Sequence, residues 1–163
     1  RICLVGSEMC IRDRYQEMEG DYLFVYGSLR PAARGTGNIS GADRARELLT
    51  EDRHEGAATL PGQLISLGLY PGWLAPERVS DSLSSIAVQG DIYRVDDSIL
   101  AYLDVYEGCS VSCPPPHEYR RRKAKAKTLS DSEFDVWVYE YIGFEAGISR
   151  RYRKVPSNDW LKM

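Results

Sequence analysis

Two short segments, roughly eighty residues apart, carry residue types that could act together on a small substrate. Residues 22–29 read Tyr-Leu-Phe-Val-Tyr-Gly-Ser-Leu, which predicts a buried strand that ends in a glycine turn. Successive backbone N–H groups in such a turn can form a nest for a carboxylate or a phosphate. Residues 103–108 read Leu-Asp-Val-Tyr-Glu-Gly and place a carboxylate at the end of a predicted helix. An anion cradle and a lone acid together suggest proton-transfer chemistry.

Glu107 is the acid in question, and two interpretations of it remain open at this point. A carboxylate in the last helical turn faces the negative end of the helix dipole, which costs about a few tenths of a kcal/mol. Glu107 could be a solvated surface residue before Gly108, which is a natural helix stop. Alternatively, the dipole and the neighbouring Leu103 and Tyr106 could raise its pKa, as a general base near neutral pH requires.

Other nucleophile and metal motifs are weaker. Ser28 lacks the Gly-x-Ser-x-Gly elbow of a nucleophilic serine, and both His54 and His117 lie in polar segments that predict solvated loops. Cys109, Cys113 and His117 are three potential zinc ligands, but their spacing is irregular and no fourth ligand is evident. Free thiols or a local disulfide are favoured there, and no metal site is predicted.

The basic run at residues 120–127 reads Arg-Arg-Arg-Lys-Ala-Lys-Ala-Lys. On a strand its side chains alternate between two faces. Nucleic-acid binding would require interleaved aromatic residues and a basic balance, whereas the formal net charge of the chain is −3. A solvated strand face is therefore expected, and no nucleic-acid partner. The glycines of residues 35–41 miss the spacing of a dinucleotide-binding loop.

The length of 163 residues fits one domain with a single core. No apolar run approaches the ~20 residues that a membrane span needs, and no signal peptide is evident, so we expect no membrane partner and a cytoplasmic location.

Residues 4–14 resemble the translation of a sequencing-library adapter. We therefore expect a non-native or disordered leader over residues 1–17 and a single domain over residues 18–163.

The periodicity predicts five strands and two helices in irregular order. A fold of class α+β, with a mostly antiparallel or mixed sheet that could be closed, is the expected result. Gly90, inside a strand pattern, predicts a bulge or a close backbone approach. A turn is expected at residues 69–73. The strands are predicted at residues 22–26, 61–67, 86–95, 119–129 and 134–142. One helix is predicted at residues 42–53, and a second begins after an N-cap at Asp96, Asp97 or Ser98 and ends at Gly108.

The ordered set of short motifs resembles the γ-glutamylcyclotransferase family, in its AIG2-like bacterial branch. The resemblance covers about residues 22–160. It rests first on Tyr-Gly-Ser-Leu at residues 26–29, on the segment 103–108, and on Tyr119-Arg120. Further matches, in the same order as in the family, are residues 67–72, 90–93, 116–119 and 156–160.

The resemblance implies a compact mixed β-barrel with surrounding short helices and a cavity that holds a γ-glutamyl group. It implies that the amides of Gly27, Ser28 and Leu29 cradle the substrate α-carboxylate and that Glu107 is the catalytic acid and base. Tyr26 and Tyr119 would be pocket walls or hydrogen-bond donors. The implied reaction converts a γ-glutamyl amine or amino acid into 5-oxoproline and a free amine, with no cofactor.

Two departures from the family pattern leave the substrate open. Residues 30–38 lack the histidine that many members carry after the turn, and the insertion at residues 108–118 is long. The alternative is a non-catalytic small-molecule-binding or regulatory module on the same fold, because a fold does not determine function. Such a module has no need of Glu107, so the presence of this acid favours an enzyme.

Overall fold

The protein is described here by a computed structural model that covers residues 20–31, 42–79, 87–148 and 150–162, with the side chains of residues 42 and 43 excepted. The predicted leader and the glycine-containing loop at residues 35–41 lie outside these described residues.

In the described part of the chain, eight strands form one sheet. Two α-helices, α1 (Ala42–Leu48) and α2 (Asp97–Tyr106), accompany it, with short 3-10 turns at Glu51–Arg53, Pro76–Arg78 and Trp160–Lys162. No helix in the described ranges is long and apolar enough to cross a membrane. The strands are β1 (Asp21–Val25), β2 (His54–Leu60), β3 (Gln63–Ser66), β4 (Pro71–Leu74), β5 (Val88–Val95), β6 (Tyr119–Thr128), β7 (Glu133–Tyr141) and β8 (Arg153–Lys154).

Five of the strands close into a barrel in the order β1, β5, β2, β6, β7. The closure is a parallel pairing of β1 with β7 at Leu23 and Trp137, whereas the other barrel pairings are antiparallel. Beyond β7 the sheet continues through β4, β3 and β8, and β4 runs parallel to β7. The predicted class, a mixed β-barrel with few helices, is confirmed.

Strand β1 shows how alternation builds the core. Leu23 and Val25 pack in one cluster with residues of α2, while Phe24 packs in a second cluster with side chains from other barrel strands. Successive side chains of a strand point to opposite faces. This single strand therefore contributes side chains to both core clusters. All three of these side chains are buried.

Helix α2 agrees with its predicted pattern. The Asp96 carboxylate accepts a hydrogen bond from the Ile99 amide at 2.9 Å and caps the N-terminus. Ile99, Leu100 and Leu103 form the buried stripe. Gly108 has a φ of +73°, the left-handed conformation that commonly ends a helix. Glu107 is the C-cap residue of α2, so its position is determined by the docking of this helix.

Two predicted elements differ from the structure. The helix that begins at residue 42 ends at Leu48 rather than at residue 53. The expected turn at residues 69–73 contains instead the start of the buried strand β4. Because β4 is short and covered on both faces, it has no alternating pattern that would reveal it. Strand β2 was not predicted at all, and His54 begins it rather than lying in a solvated loop.

Gly90 agrees with the predicted close approach. A Cβ atom at this position would overlap the Phe24 ring and the Val25 carbonyl oxygen of the neighbouring strand β1. The irregularity in this part of the barrel lies on β2, between His54 and Gly56. Gly90 therefore leaves room for the Phe24 ring to pack directly against the β5 backbone.

The basic strand β6 is less solvated than expected. Arg120 and Arg122 both bond to the carboxylate of Glu140, which is fully buried on β7. Arg121 pairs with Asp104 and lies over the Trp137 ring at 4.3 Å. The arginines thus hold β6 to its neighbours, and the solvated face consists of the lysines farther along the strand. None of these arginines was predicted to have a carboxylate partner.

Candidate active site

The two segments that carry the chemistry contribute to one cavity. Its volume is about 420 Å³. The cavity is lined by all six residues that were predicted from the sequence to be catalytic or substrate-binding, namely Tyr26, Gly27, Ser28, Leu29, Glu107 and Tyr119. The cavity is completed by Leu23, Phe24, Val25, Tyr70, Pro71, Tyr106, Gly108, Pro116, Glu118 and Tyr139.

Residues 27–30 form a tight turn directly after β1. The Arg30 amide donates to the Gly27 carbonyl oxygen at 3.1 Å. Among the described residues, no backbone carbonyl accepts a hydrogen bond from the amides of Ser28 or Leu29. A cavity wall with two such N–H donors suits a carboxylate ligand. Gly27 is required by close contact, because a Cβ atom there would lie 2.8 Å from Cγ of Pro71.

Two arginines hold this turn in place. The Arg46 guanidinium, in the last turn of α1, donates to the Ser28 carbonyl oxygen at 3.1 Å. The Arg30 guanidinium donates to Asp91 of β5 at 2.9 Å and to Asp159 near the C-terminus at 3.0 Å. Because these contacts involve a helix, a barrel strand and the C-terminal segment, the turn is held in place by several parts of the fold.

The same network explains two residues that the sequence did not explain. His54 lies with its Nε2 atom 2.9 Å from Asp91, so this histidine supports the network rather than being solvated. Asp91 itself is only 6% exposed and is the one acidic residue of β5. The sequence signal for Asp91 was an acidic residue within a predicted strand. This signal does not indicate that Arg30 and His54 are its partners.

Glu107 lines the cavity rather than the outer surface, which argues against the solvated-surface interpretation. Its pKa is raised to about 7, and the cause is burial. Within the described ranges, no cation and no hydrogen-bond donor pairs with its side chain. A partly buried carboxylate with no partner among the described residues and a pKa near neutrality can both accept and return a proton at physiological pH.

Two tyrosine hydroxyls of the cavity, those of Tyr26 and Tyr119, already donate to the backbone. Tyr26 donates to the Tyr139 carbonyl oxygen at 2.6 Å, and Tyr119 donates to the Pro71 carbonyl oxygen at 2.7 Å. Burial, and then the negative charge of Glu107, raises the pKa of Tyr26 well above its usual value. Burial likewise raises the pKa of Tyr119. These phenols therefore stay neutral and present oxygen lone pairs, rather than protons, to a ligand.

A second carboxylate, Glu118, lies at the rim. Its side chain is 21% exposed, and the neighbouring Pro116 is exposed. The Tyr70 hydroxyl donates to Glu118 at 3.0 Å, and the Arg150 guanidinium donates to it at 2.7 Å. Burial, followed by this hydrogen bond, raises the pKa of Tyr70 to about 12. Sequence reasoning missed Glu118, which precedes a motif residue but lies in a proline-rich loop.

Cys109, in the loop after α2, packs against the core. Cys109 and Cys113 are free thiols, and burial raises the pKa of Cys109 to about 12. His117 lies with its Nε2 atom 3.0 Å from the Cys113 carbonyl oxygen. In the described part of the chain, no group of three His, Cys, Asp or Glu residues could hold a metal ion.

The sequence of this chain is similar to those of known proteins. A protein of Methanocaldococcus jannaschii, named "Putative gamma-glutamylcyclotransferase", is 27% identical over 138 residues, which is 82% of this chain and 98% of that protein. The gamma-glutamylaminecyclotransferase of Rattus norvegicus is 29% identical over 113 residues, 66% of this chain and 64% of that protein.

Solved structures show the same fold. A crystal structure of an uncharacterized protein from Pyrococcus horikoshii superposes with a TM-score of 0.54 at 15% identity, and the match covers 88% of this chain and 92% of that one. The family model for gamma-glutamyl cyclotransferase, AIG2-like, matches residues 23–162. This match spans both segments of the cavity, and the chain belongs to that family.

Proposed function

We propose that this protein cyclises a γ-glutamyl amine or γ-glutamyl amino acid to 5-oxoproline and releases the free amine. One observation carries the proposal. Glu107, which has no ion-pair or hydrogen-bond partner among the described residues and whose pKa is raised to about 7, lines the same cavity as the turn at residues 27–29. The family to which the chain belongs supports the reaction class.

The bonds in this reaction balance without water. The substrate α-amino nitrogen attacks its own γ-carbonyl carbon, and a five-membered lactam forms as the γ-amide C–N bond breaks. The α-ammonium group must first lose a proton, because a protonated amine has no lone pair with which to attack. Glu107 accepts this proton as a carboxylate and then, as the acid, gives it to the leaving amine nitrogen. The attacking nitrogen loses a second proton as the lactam forms, and this proton ends on the released amine, which leaves as an ammonium ion.

The cavity walls would hold the γ-glutamyl unit in the reactive conformation. The amides of Ser28 and Leu29, which have no backbone acceptor among the described residues, would bind the α-carboxylate. The α-ammonium group would face Glu107, with the hydroxyl oxygens of Tyr26 and Tyr119 as further acceptors, because the protons of both hydroxyls are already engaged. Bringing the amine close to its own carbonyl is a proximity effect that is worth up to about 7–11 kcal/mol of barrier in well-oriented cases.

Turnover of γ-glutamyl amides tests the proposal. We expect 5-oxoproline and amine in equal amounts from at least one member of a panel of γ-glutamyl amino acids and γ-glutamyl amines. The matched N-acetyl derivatives should be inert, since the acetylated nitrogen cannot attack. Failure to turn over any panel member by a folded protein would contradict the proposal and would favour the binding module.

The pH profile should report the pKa of Glu107. Only the carboxylate form accepts a proton, so we expect kcat/KM to rise with pH and to level off above an inflection near pH 7. Below this inflection the rate should fall about tenfold for each pH unit. Two substrates with different leaving amines should share the inflection, because it belongs to the free enzyme. An inflection near the ordinary glutamate value of 4.5 would contradict this account.

A further inference from the structure

The charged groups that line the cavity are both carboxylates. Among the described lining residues, Glu107 and Glu118 carry charge, and no lysine or arginine is found with them. The γ-glutamyl unit of a substrate would be a zwitterion, whose α-ammonium group matches Glu107 and whose α-carboxylate matches the turn at residues 27–29. That assignment leaves Glu118 without a counterpart on the γ-glutamyl unit.

The location of Glu118 fits the other half of the substrate. Its side chain is 21% exposed, whereas the residues around the proposed reacting atoms, such as Tyr26 and Tyr119, are buried. A leaving amine must extend from the reacting γ-carbonyl toward solvent, because the γ-glutamyl unit would fill the deeper part. The leaving group would therefore pass the rim at Glu118 and Tyr70, both of which line the cavity.

Glu118 also has capacity for one more donor. Its carboxylate accepts hydrogen bonds from Tyr70 at 3.0 Å and from Arg150 at 2.7 Å. An ionised carboxylate has about four acceptor sites, and an alkylammonium group supplies three donors. Arg150 does not line the cavity. Its guanidinium lies 5.5 Å from the centre of the Tyr70 ring, and its side chain is 43% exposed. Arg150 therefore approaches Glu118 from outside the cavity and partly balances its charge.

We propose that Glu118 selects substrates whose leaving amine carries a second, cationic group, so that γ-glutamyl amides of diamines are favoured over those of neutral alkylamines or of amino acids. This inference rests on the proposed cyclisation. Glu118 acts here as a specificity-determining residue, whose oxygen atoms accept a hydrogen bond from the distal ammonium. A leaving group that ends in a carboxylate would be repelled at the same position.

Three matched substrates test the inference: the γ-glutamyl amides of 1,4-diaminobutane, 1-pentylamine and 4-aminobutanoate. They have similar length and end in an ammonium, a methyl group and a carboxylate. We expect kcat/KM to fall in that order, with the ammonium compound favoured over the methyl compound about tenfold, as one hydrogen bond to a charged group allows. Equal values for these two compounds would overturn the inference while leaving the cyclisation intact. No turnover of any of the three, by a folded protein, would refute the inference and count against the proposed function.

Two substitutions should shift this preference in opposite directions. Glu118→Gln should reduce the ratio of the ammonium to the methyl compound to within about twofold, because a neutral amide loses the charge-assisted bond. Arg150→Gln should increase the ratio by about threefold, because it removes the competing cation. The ratio cancels any general effect on folding or chemistry. Glu133→Gln, an exposed change at the start of β7, should leave the ratio unchanged. A ratio that survives Glu118→Gln would contradict the role of Glu118.

Discussion

Replacing Glu107 by Gln is expected to lower kcat/KM by about a thousandfold, within the range of about 10²–10⁴ that general acid–base catalysis contributes. Glutamine keeps the size and polarity of the side chain but can neither accept nor return a proton. Since Glu107 makes no ion pair or hydrogen bond with the described residues that the change would break, the loss should appear in turnover and not in stability. The measurement is 5-oxoproline release under subsaturating substrate.

The control for this substitution is the free energy of unfolding. Burial raises the pKa of Glu107, so its charged form is disfavoured in the folded state, and Glu107→Gln should keep or slightly raise stability near pH 7. Glu133→Gln provides a matched change on the exposed end of β7 and should retain full activity. A Glu107→Gln protein that retains more than about a tenth of the parent kcat/KM would show that another group moves the proton.

Replacing Glu140 by Ala is expected to destabilise the fold by about 3 kcal/mol, the lower end of the cost of removing one partner of a buried ion pair. Its carboxylate is fully buried and accepts hydrogen bonds from Arg78 at 3.0 Å, from Arg120 at 2.8 Å and from Arg122 at 3.4 Å. The arginines are each partly exposed and can be hydrated, which limits the loss. Urea unfolding should show this as a lower midpoint, and heating should lower Tm by roughly 6–12 °C.

The matched comparison is an exposed ion pair on the same two strands. Lys125 and Asp135 are 3.2 Å apart, and both side chains are 70% exposed. Lys125→Gln should change the free energy of unfolding by less than about 0.5 kcal/mol, as exposed pairs usually do. If Glu140→Ala lowered the free energy of unfolding by no more than Lys125→Gln does, the ion pairs of the buried carboxylate with the three arginines would not stabilise the fold.

The residues nominated for chemistry could be predicted because their signals are local. Residues 26–29 combine a strand end with a glycine turn, and residues 103–108 combine a helical stripe with a C-terminal glycine. Each segment could be interpreted within its own short window. Their arrangement in one cavity was an expectation from the family resemblance rather than from either window alone. The barrel likewise followed from that resemblance, since the strand pattern alone left its closure open.

The residues that were missed depend on partners far away in the chain. Arg30 bonds to Asp91 and Asp159, which are 61 and 129 positions distant. Arg78 reaches Glu140 across 62 positions. No periodicity in a short window encodes such pairs, and even an acid inside a strand pattern, such as Asp91, does not indicate which residue it pairs with. Glu118 was missed for the same reason, because Tyr70 and Arg150 meet it only in the folded chain.

The identity of the product formed in ¹⁸O-labelled water tests the central claim most directly. Cyclisation consumes no water, so we predict that a turned-over γ-glutamyl amide yields 5-oxoproline without ¹⁸O, in an amount equal to the released amine. Free glutamate that carries one ¹⁸O atom in its γ-carboxylate would contradict the account, because it would show that water, rather than the substrate's own amine, attacks the γ-carbonyl.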